Sequence, residues 1–212
     1  MRNALPYFFT LMATMLAAGC WNGSAAQTMS ISTYNYTGNS LYSIHVQEAS
    51  SKFNIDSAAA GGSIFLDNAD AATFEDGRPY TSKSDVCCFA MSATAAKSDI
   101  RVVWSEVYDL SAFRSNEPSA EDERNNRGAP PGAIWCTAIV KVRGELTPLT
   151  NKLVLHFLQD GVVIAVLGDS TANRPLDESE VAGHVVDQAK GKTCKIQADN
   201  PWYGAAPKKH QE

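Results

Sequence analysis

Along most of this chain apolar and polar residues alternate with a period of two, which predicts half-buried strands rather than helices. Residues 100–108 are a clear case: Val102, Trp104 and Glu106 fall on one face, Val103, Ser105 and Val107 on the other. Residues 30–36 alternate loosely. Residues 41–46 follow across Thr37-Gly38-Asn39-Ser40, a turn cluster, so the two segments read as a hairpin. Residues 134–142 form a strong strand, and 63–66 and 86–91 short ones. Residues 152–158 and 162–167 flank Gln159-Asp160-Gly161, and Asp-Gly between apolar runs predicts a second hairpin. Between these segments, 58–62 reads as a small flexible connection. Residues 67–84 read as a loop, and 111–132 as the longest irregular stretch, charged and closed by Ala129-Pro130-Pro131-Gly132.

The period changes only near the end. Val181, His184, Val185 and Gln188 recur at helical spacing within 177–190, with acids near the start and Lys190 near the finish, which suits the helix dipole. Gly191 is a natural stop. Residues 199–212 read as a loosely ordered tail. No internal repeat is present. The pattern therefore predicts one mainly β domain over 31–198, an antiparallel sandwich-like sheet with one C-terminal helix.

The first nineteen residues stand apart. Arg2 is their only charge, and Leu5, Phe8, Phe9, Leu11, Met12, Met15 and Leu16 dominate them. The run is short for a membrane-spanning helix, which takes about 20 apolar residues, and it suits the apolar segment of an export signal. Ala17-Ala18-Gly19-Cys20 then reads as a lipoprotein processing site, so residues 1–19 are expected to be removed and Cys20 lipidated. Trp21, rather than Asp, in the next position favours the outer membrane by analogy with Gram-negative sorting. Residues 20–30 read as a lipidated terminus and flexible spacer. The expected address is the periplasmic face of the envelope.

Charge narrows the partners. The formal net charge is −5, and −6 once Arg2 leaves with the leader. Nucleic acid binding needs a basic face, and a polybasic membrane surface is equally absent from this balance. Four cysteines follow Cys20: Cys87, Cys88, Cys136 and Cys194. In an oxidising compartment they are disulfide candidates, with three pairings open. Neighbours on a strand point to opposite faces, so Cys87 and Cys88 are expected to serve different partners, for which Cys136 and Cys194 are the candidates. No Cys-x-x-Cys pair occurs and the histidines are scattered, so neither a metal nor a cofactor is expected.

Catalytic chemistry finds little support. Gly168-Asp169-Ser170 follows an apolar strand and superficially resembles the Gly-Asp-Ser-Leu hydrolases, but Thr171 replaces the leucine and an Asp-x-x-His partner is missing downstream. A strand-ending turn accounts for it. His45, His156 and His184 read as structural, and Trp104, Trp135, Tyr108 and Phe113 as core or half-buried residues. Trp202 and Tyr203 are left to dock the tail or to anchor a partner.

One ordered set of segments carries a resemblance. Tyr34-Asn35-Tyr36-Thr37-Gly38, Gly61-Gly62-Ser63, Val86-Cys87-Cys88, Val102-Val103-Trp104 and Leu155-His156-Phe157-Leu158-Gln159-Asp160-Gly161, covering roughly 30–167, resemble a proteobacterial lipoprotein family catalogued as a domain of unknown function. Members often look like neighbours of type VI secretion lipase effectors. The resemblance therefore implies an immunity lipoprotein: not an enzyme, but a periplasmic anchor that binds a secreted phospholipase and blocks it. The contacts are then expected from Arg114, Glu117, Glu121, Asp122, Glu123, Arg124 and Arg127, and from Asp67, Asp70 and Arg78. A structural envelope lipoprotein, and a serine esterase using Ser170, remain the other classes.

Overall fold

The structure is a computed structural model that describes residues 26–68, 70–92, 99–186 and 192–206. The segments expected to be an export leader (1–19) and, for the most part, a spacer (20–30), with Cys20, lie outside them. Nine strands follow in chain order: β1 (Gln27–Asn35), β2 (Ser40–Glu48), β3 (Ala59–Ile64), β4 (Asp70–Thr73), β5 (Pro79–Met91), β6 (Asp99–Val107), β7 (Ala133–Arg143), β8 (Lys152–Phe157) and β9 (Val163–Gly168). Among the described residues three short α-helices accompany them: α1 (Leu110–Ser115), α2 (Ala120–Asn125) and α3 (Glu178–Ala182).

The strands form one sheet in the order β3-β2-β6-β7-β9-β8-β1-β5-β4. It is mainly antiparallel but mixed, because β1 runs parallel to β8 and β7 parallel to β9. The sheet curls until β3 packs beside β5. A Cβ on Gly62 would lie 3.2 Å from the Val86 side chain. Mainly β therefore holds, while the purely antiparallel sheet and the single helix are corrected to a curled mixed sheet and three helices.

Four local expectations change with it. First, residues 37–40 do not close a hairpin. Four strands lie between β1 and β2 in the sheet. Asn35 Oδ1 accepts from the Thr37 amide (3.0 Å) and hydroxyl (2.7 Å), and Asn35 Nδ2 donates to the Asn39 carbonyl (2.9 Å), so a side-chain-built turn sends the chain across to a different neighbour. Second, 59–62 belongs to β3. Its residues are small because a Cβ on Gly61 would stand 2.9 Å from Ile44 Cγ2. Third, residues 70–84 hold β4 and the first half of β5. Backbone pairing to β1 carries that half, with Tyr34 opposite Ser82 and Asn35 opposite Thr81, so it needs no apolar alternation. Fourth, the late helix is only five residues long, capped by Asp177 and ending at Gly183. Residues 187–191, where its continuation was expected, lie outside the described ones.

The hairpin at Asp160-Gly161 forms as expected: β8 pairs antiparallel with β9, and Gly161 takes φ +75°. β8 is buried on both faces. Leu153, Leu155 and Phe157 enter the main core beside Ile31, Ile44 and Trp104. Val154 enters a second cluster with Tyr34, Tyr36, Leu176 and Val181 on the other side of the sheet. Burial on both faces explains why Leu153-Val154-Leu155 is a continuous apolar run.

Candidate functional site

The charged stretch between β6 and β7 builds a small lobe. Asp109 caps α1 by accepting from the Ala112 amide at 2.9 Å. Phe113 anchors the helix: it is fully buried, 5.2 Å from the Tyr42 ring and 6.0 Å from Phe65. Ser119 and Asp122 form a reciprocal capping box at the start of α2. Six-residue helices are not stable alone, so tertiary contacts hold both. Asn200 makes several. Its Nδ2 donates to the Glu123 carbonyl (2.7 Å) and the Asn126 carbonyl (2.8 Å), and its backbone amide donates to the Arg127 carbonyl (2.8 Å).

Between this lobe and the start of β7 lies a cavity of about 320 Å³. Glu117, Asp122, Glu123, Trp135, Asn200 and three prolines, Pro118, Pro130 and Pro131, are among its lining residues. Trp135 is 2% exposed, and its indole Nε1 has no hydrogen-bond partner. Glu123 Oε1 accepts from the Tyr42 hydroxyl at 3.0 Å. Burial pushes the Glu123 carboxyl above the usual carboxylate range, against the pull of the Tyr42 hydrogen bond and Arg124. Burial and that carboxylate together push the Tyr42 phenol up. Asp122 is held below the ordinary range by hydrogen bonds from the Ser119 hydroxyl and amide.

The structure brings together most, but not all, of the residues expected to meet a partner. Glu117, Asp122 and Glu123 line the cavity, and Glu121 and Arg124 stand on α2 beside it. Arg127 reaches Asp199 at 3.8 Å and lies 5.2 Å over the Tyr203 ring. Asp67 joins the lobe through Arg114, 3.1 Å away, whose guanidinium lies 4.7 Å over Phe65. Asp70 and Arg78 do not belong to the lobe. Asp70 begins β4, the edge strand at the far end of the sheet order. Arg78 pairs with Asp76 at 2.6 Å and lies near the Phe74 ring.

The cysteines sort differently from expectation. Cys136 on β7 and Cys194 face each other as a disulfide pair, Cα atoms 5.7 Å apart. Cys87 and Cys88 face one another rather than separate partners. The register with β1 explains why alternation fails there: Met29 pairs with Phe89 and Ser30 with Cys87, so Cys88 is the extra residue of a bulge.

Glu106, Trp135 and Asn200 carry structure that their sequence neighbourhoods hardly announce. Glu106 is 1% exposed on β6 and accepts from the Thr193 amide (2.7 Å), the Thr193 hydroxyl (2.9 Å) and Asn39 Nδ2 (2.6 Å). It thereby fastens the segment that carries Cys194. The chain then runs along β7, bridging Gln197 to Cys136, and delivers Asn200 to the cavity. One signal was available in the sequence: Ser119-x-x-Asp122 is a capping pattern.

Ser170 opens a 3₁₀ turn capped by Asp169, whose carboxylate accepts from the Thr171 amide at 2.8 Å. A serine–histidine contact exists elsewhere: Ser43 Oγ lies 2.8 Å from His45 Nε2 at a bulge in β2, where Ser43 takes φ +51°. Trp202 lies across it, with its ring centroid 5.4 Å from that of His45 and its indole donating to Ser43 Oγ at 3.4 Å. Trp202 thus docks the C-terminal segment. Comparison with protein-family models, curated proteins and solved structures finds no match for this chain.

Proposed function

We propose that this chain is an envelope-anchored binding lipoprotein, an immunity protein that binds and inhibits a type VI secretion phospholipase effector in the periplasm. The observation that supports it best is the lobe: exposed charges of both signs surround an open cavity, mounted on a sheet that the Cys136–Cys194 pair and Glu106 fasten from behind. Binding surfaces are typically loops held by a rigid scaffold. The export leader and the likeness of residues 30–167 to type VI immunity lipoproteins supply the compartment and the partner class.

Co-expression with a periplasm-directed lipase effector encoded beside the gene tests the reading. The chain should restore growth and be recovered with the lipase in a pulldown. Glu121→Lys with Arg124→Glu, both on α2, should abolish both, and Arg78→Glu at the far hairpin should leave them intact. Full resistance of cells lacking the gene to every sister-cell effector would instead favour a structural envelope lipoprotein.

A further inference from the structure

We infer that the Cys87–Cys88 pair is a thiol–disulfide exchange site for a low-molecular-weight thiol, which attacks Cys88 from a cavity between β2 and β5. The inference needs no toxin partner, and this cavity shares no lining residue with the one beside α2.

The contrast between the two cysteine pairs is the first argument. Cys136 is fully buried, Cys194 packs against the main core, and the pair spans 58 residues of sequence. A bond there removes loop-closure entropy from the unfolded chain. Cys87 and Cys88 are neighbours, so their bond closes no loop and gains nothing of that kind. Both are also exposed. Buried bonds resist reduction, whereas exposed ones are the labile and regulatory ones, because the attacking thiolate must reach a sulfur.

The bulge in β5 explains the exposure. Met29 pairs with Phe89 and Ser30 with Cys87, leaving Cys88 as the extra residue. Phe89 and Met91 then turn into the main core, while neither cysteine does. β4 pairs with Pro79–Ser82 only, so that edge strand stops short of the pair.

The cavity is the second, independent argument. It measures about 290 Å³ and is lined by Cys88 but not Cys87, together with Val46, Gln47, Glu48, Ser57 and Phe89 among others. That volume is at the small end of ligand sites, so it suits a thiol of cysteine or tripeptide size rather than the dithiol of a folded protein. Its rim is already ordered. Gln47 Oε1 accepts from the Asn54 amide at 2.8 Å, Gln47 Nε2 donates to Ser51 Oγ at 2.8 Å, and the Ser57 hydroxyl donates to the Asn54 carbonyl at 3.2 Å. A preformed rim lowers the ordering cost of seating a small molecule, and its amides and hydroxyls suit the polar groups of an amino-acid thiol.

The chemistry balances without a further reagent. A thiolate attacks Cys88 Sγ, and a bond forms between the two sulfurs. The Cys87–Cys88 bond breaks, and its electron pair leaves on Cys87 Sγ, which takes a proton from water. The product is a mixed disulfide on Cys88. Cys87 can attack back and expel the thiol, or a second small thiol can attack the adduct. The latter releases the small disulfide and leaves both cysteines reduced, two electrons having passed from two thiols to the pair.

The test treats the purified oxidised protein with graded reduced glutathione, followed by acid quenching and peptide mass spectrometry. Cys87–Cys88 should open roughly tenfold or more faster than Cys136–Cys194, with the glutathione adduct on Cys88. Cys87→Ser should form a persistent adduct with glutathione disulfide, and Cys88→Ser should do so several-fold more slowly. Ser57→Trp, at the exposed rim, should slow the reaction of Cys88 several-fold. Equal opening of the two pairs, an adduct chiefly on Cys87, or a rate unchanged by Ser57→Trp would each overturn the inference. So would a pair opened by a thioredoxin-type protein dithiol but inert to glutathione, or free thiols inert to glutathione disulfide.

Discussion

Two polar clusters in this molecule are built on opposite principles. Around His156, burial is matched by partners. Tyr36 lies inside the second core cluster; its hydroxyl accepts from the Leu176 amide at 2.8 Å and lies 3.1 Å from His156 Nδ1, so the phenol proton is directed at a neutral imidazole. Tyr34 stacks on the same imidazole at 5.3 Å, and Phe74 and Tyr80 pack beside Tyr36. Around the α1–α2 cavity the polar groups stay nearer water: Glu117 and Asp122 are exposed, and Glu123 is half-buried with the Tyr42 hydroxyl as its donor. A satisfied buried network contributes rigidity, whereas carboxylates near the surface leave charge where solvent or a partner can meet it. The two clusters sit in different regions of one sheet, and the contrast between them can be broken from either side.

The Cys136–Cys194 strap along β7 carries the largest expected effect. The Cys136–Cys194 pair closes 58 residues of chain, and the chain-entropy model gives such a loop about 4 kcal/mol. Cys136→Ser with Cys194→Ser should lower unfolding free energy by about that amount in urea titrations. Hydrogen exchange should show the loss first in α2 and at Asn200, because the strap delivers that segment. Cys87→Ser with Cys88→Ser encloses no intervening chain and should change stability far less. Equal losses from both pairs would mean that the strap does not set the lobe.

His156 comes next. Burial, aided by Arg143 and Arg174, lowers its pKa from 6.5 to about 4. In the window between those values the unfolded chain binds a proton that the folded chain refuses, so stability rises with pH. The contribution is complete above about pH 6.5 and is lost as pH falls to about 4, amounting to about 3 kcal/mol at most. His156→Leu should be less stable at neutral pH, since the Tyr36 hydroxyl loses its acceptor, yet should lose less between those two pH values. A pH profile parallel to that of the parent protein would show that the cluster is hydrated rather than dry.

The strands were legible wherever each residue's environment is set by its own neighbours along the chain. β6, β7 and the β8–β9 hairpin fall within a residue or two of the alternating runs and the Asp160-Gly161 turn. Legibility failed where a distant partner decides. Gly61 is small because Ile44 presses on it, β1 and β2 separate because an Asn35–Thr37–Asn39 turn redirects the chain, and Cys88 leaves the alternation because β1 pairs past it. The acids of the candidate site were visible as a charged stretch. The cavity was not, since Trp135 and Asn200, remote from α2 in the chain, complete it through folding.

Ser119→Ala carries the smallest effect and separates the two regions most finely. The Ser119 hydroxyl accepts from the Asp122 amide at 3.1 Å and the Ser119 amide donates to the Asp122 carboxylate at 3.0 Å, closing both halves of the box at the start of α2. No residue of α2 is buried. Loss of a cap costs about 1 kcal/mol of helix stability, but a helix that contributes no buried side chain passes little of that to the global transition. Urea titrations should therefore shift by less than about 1 kcal/mol, while amide exchange across residues 120–126 accelerates and the Trp135 indole resonance broadens. If the whole domain instead loses stability in step with α2, the lobe belongs to the cooperative core.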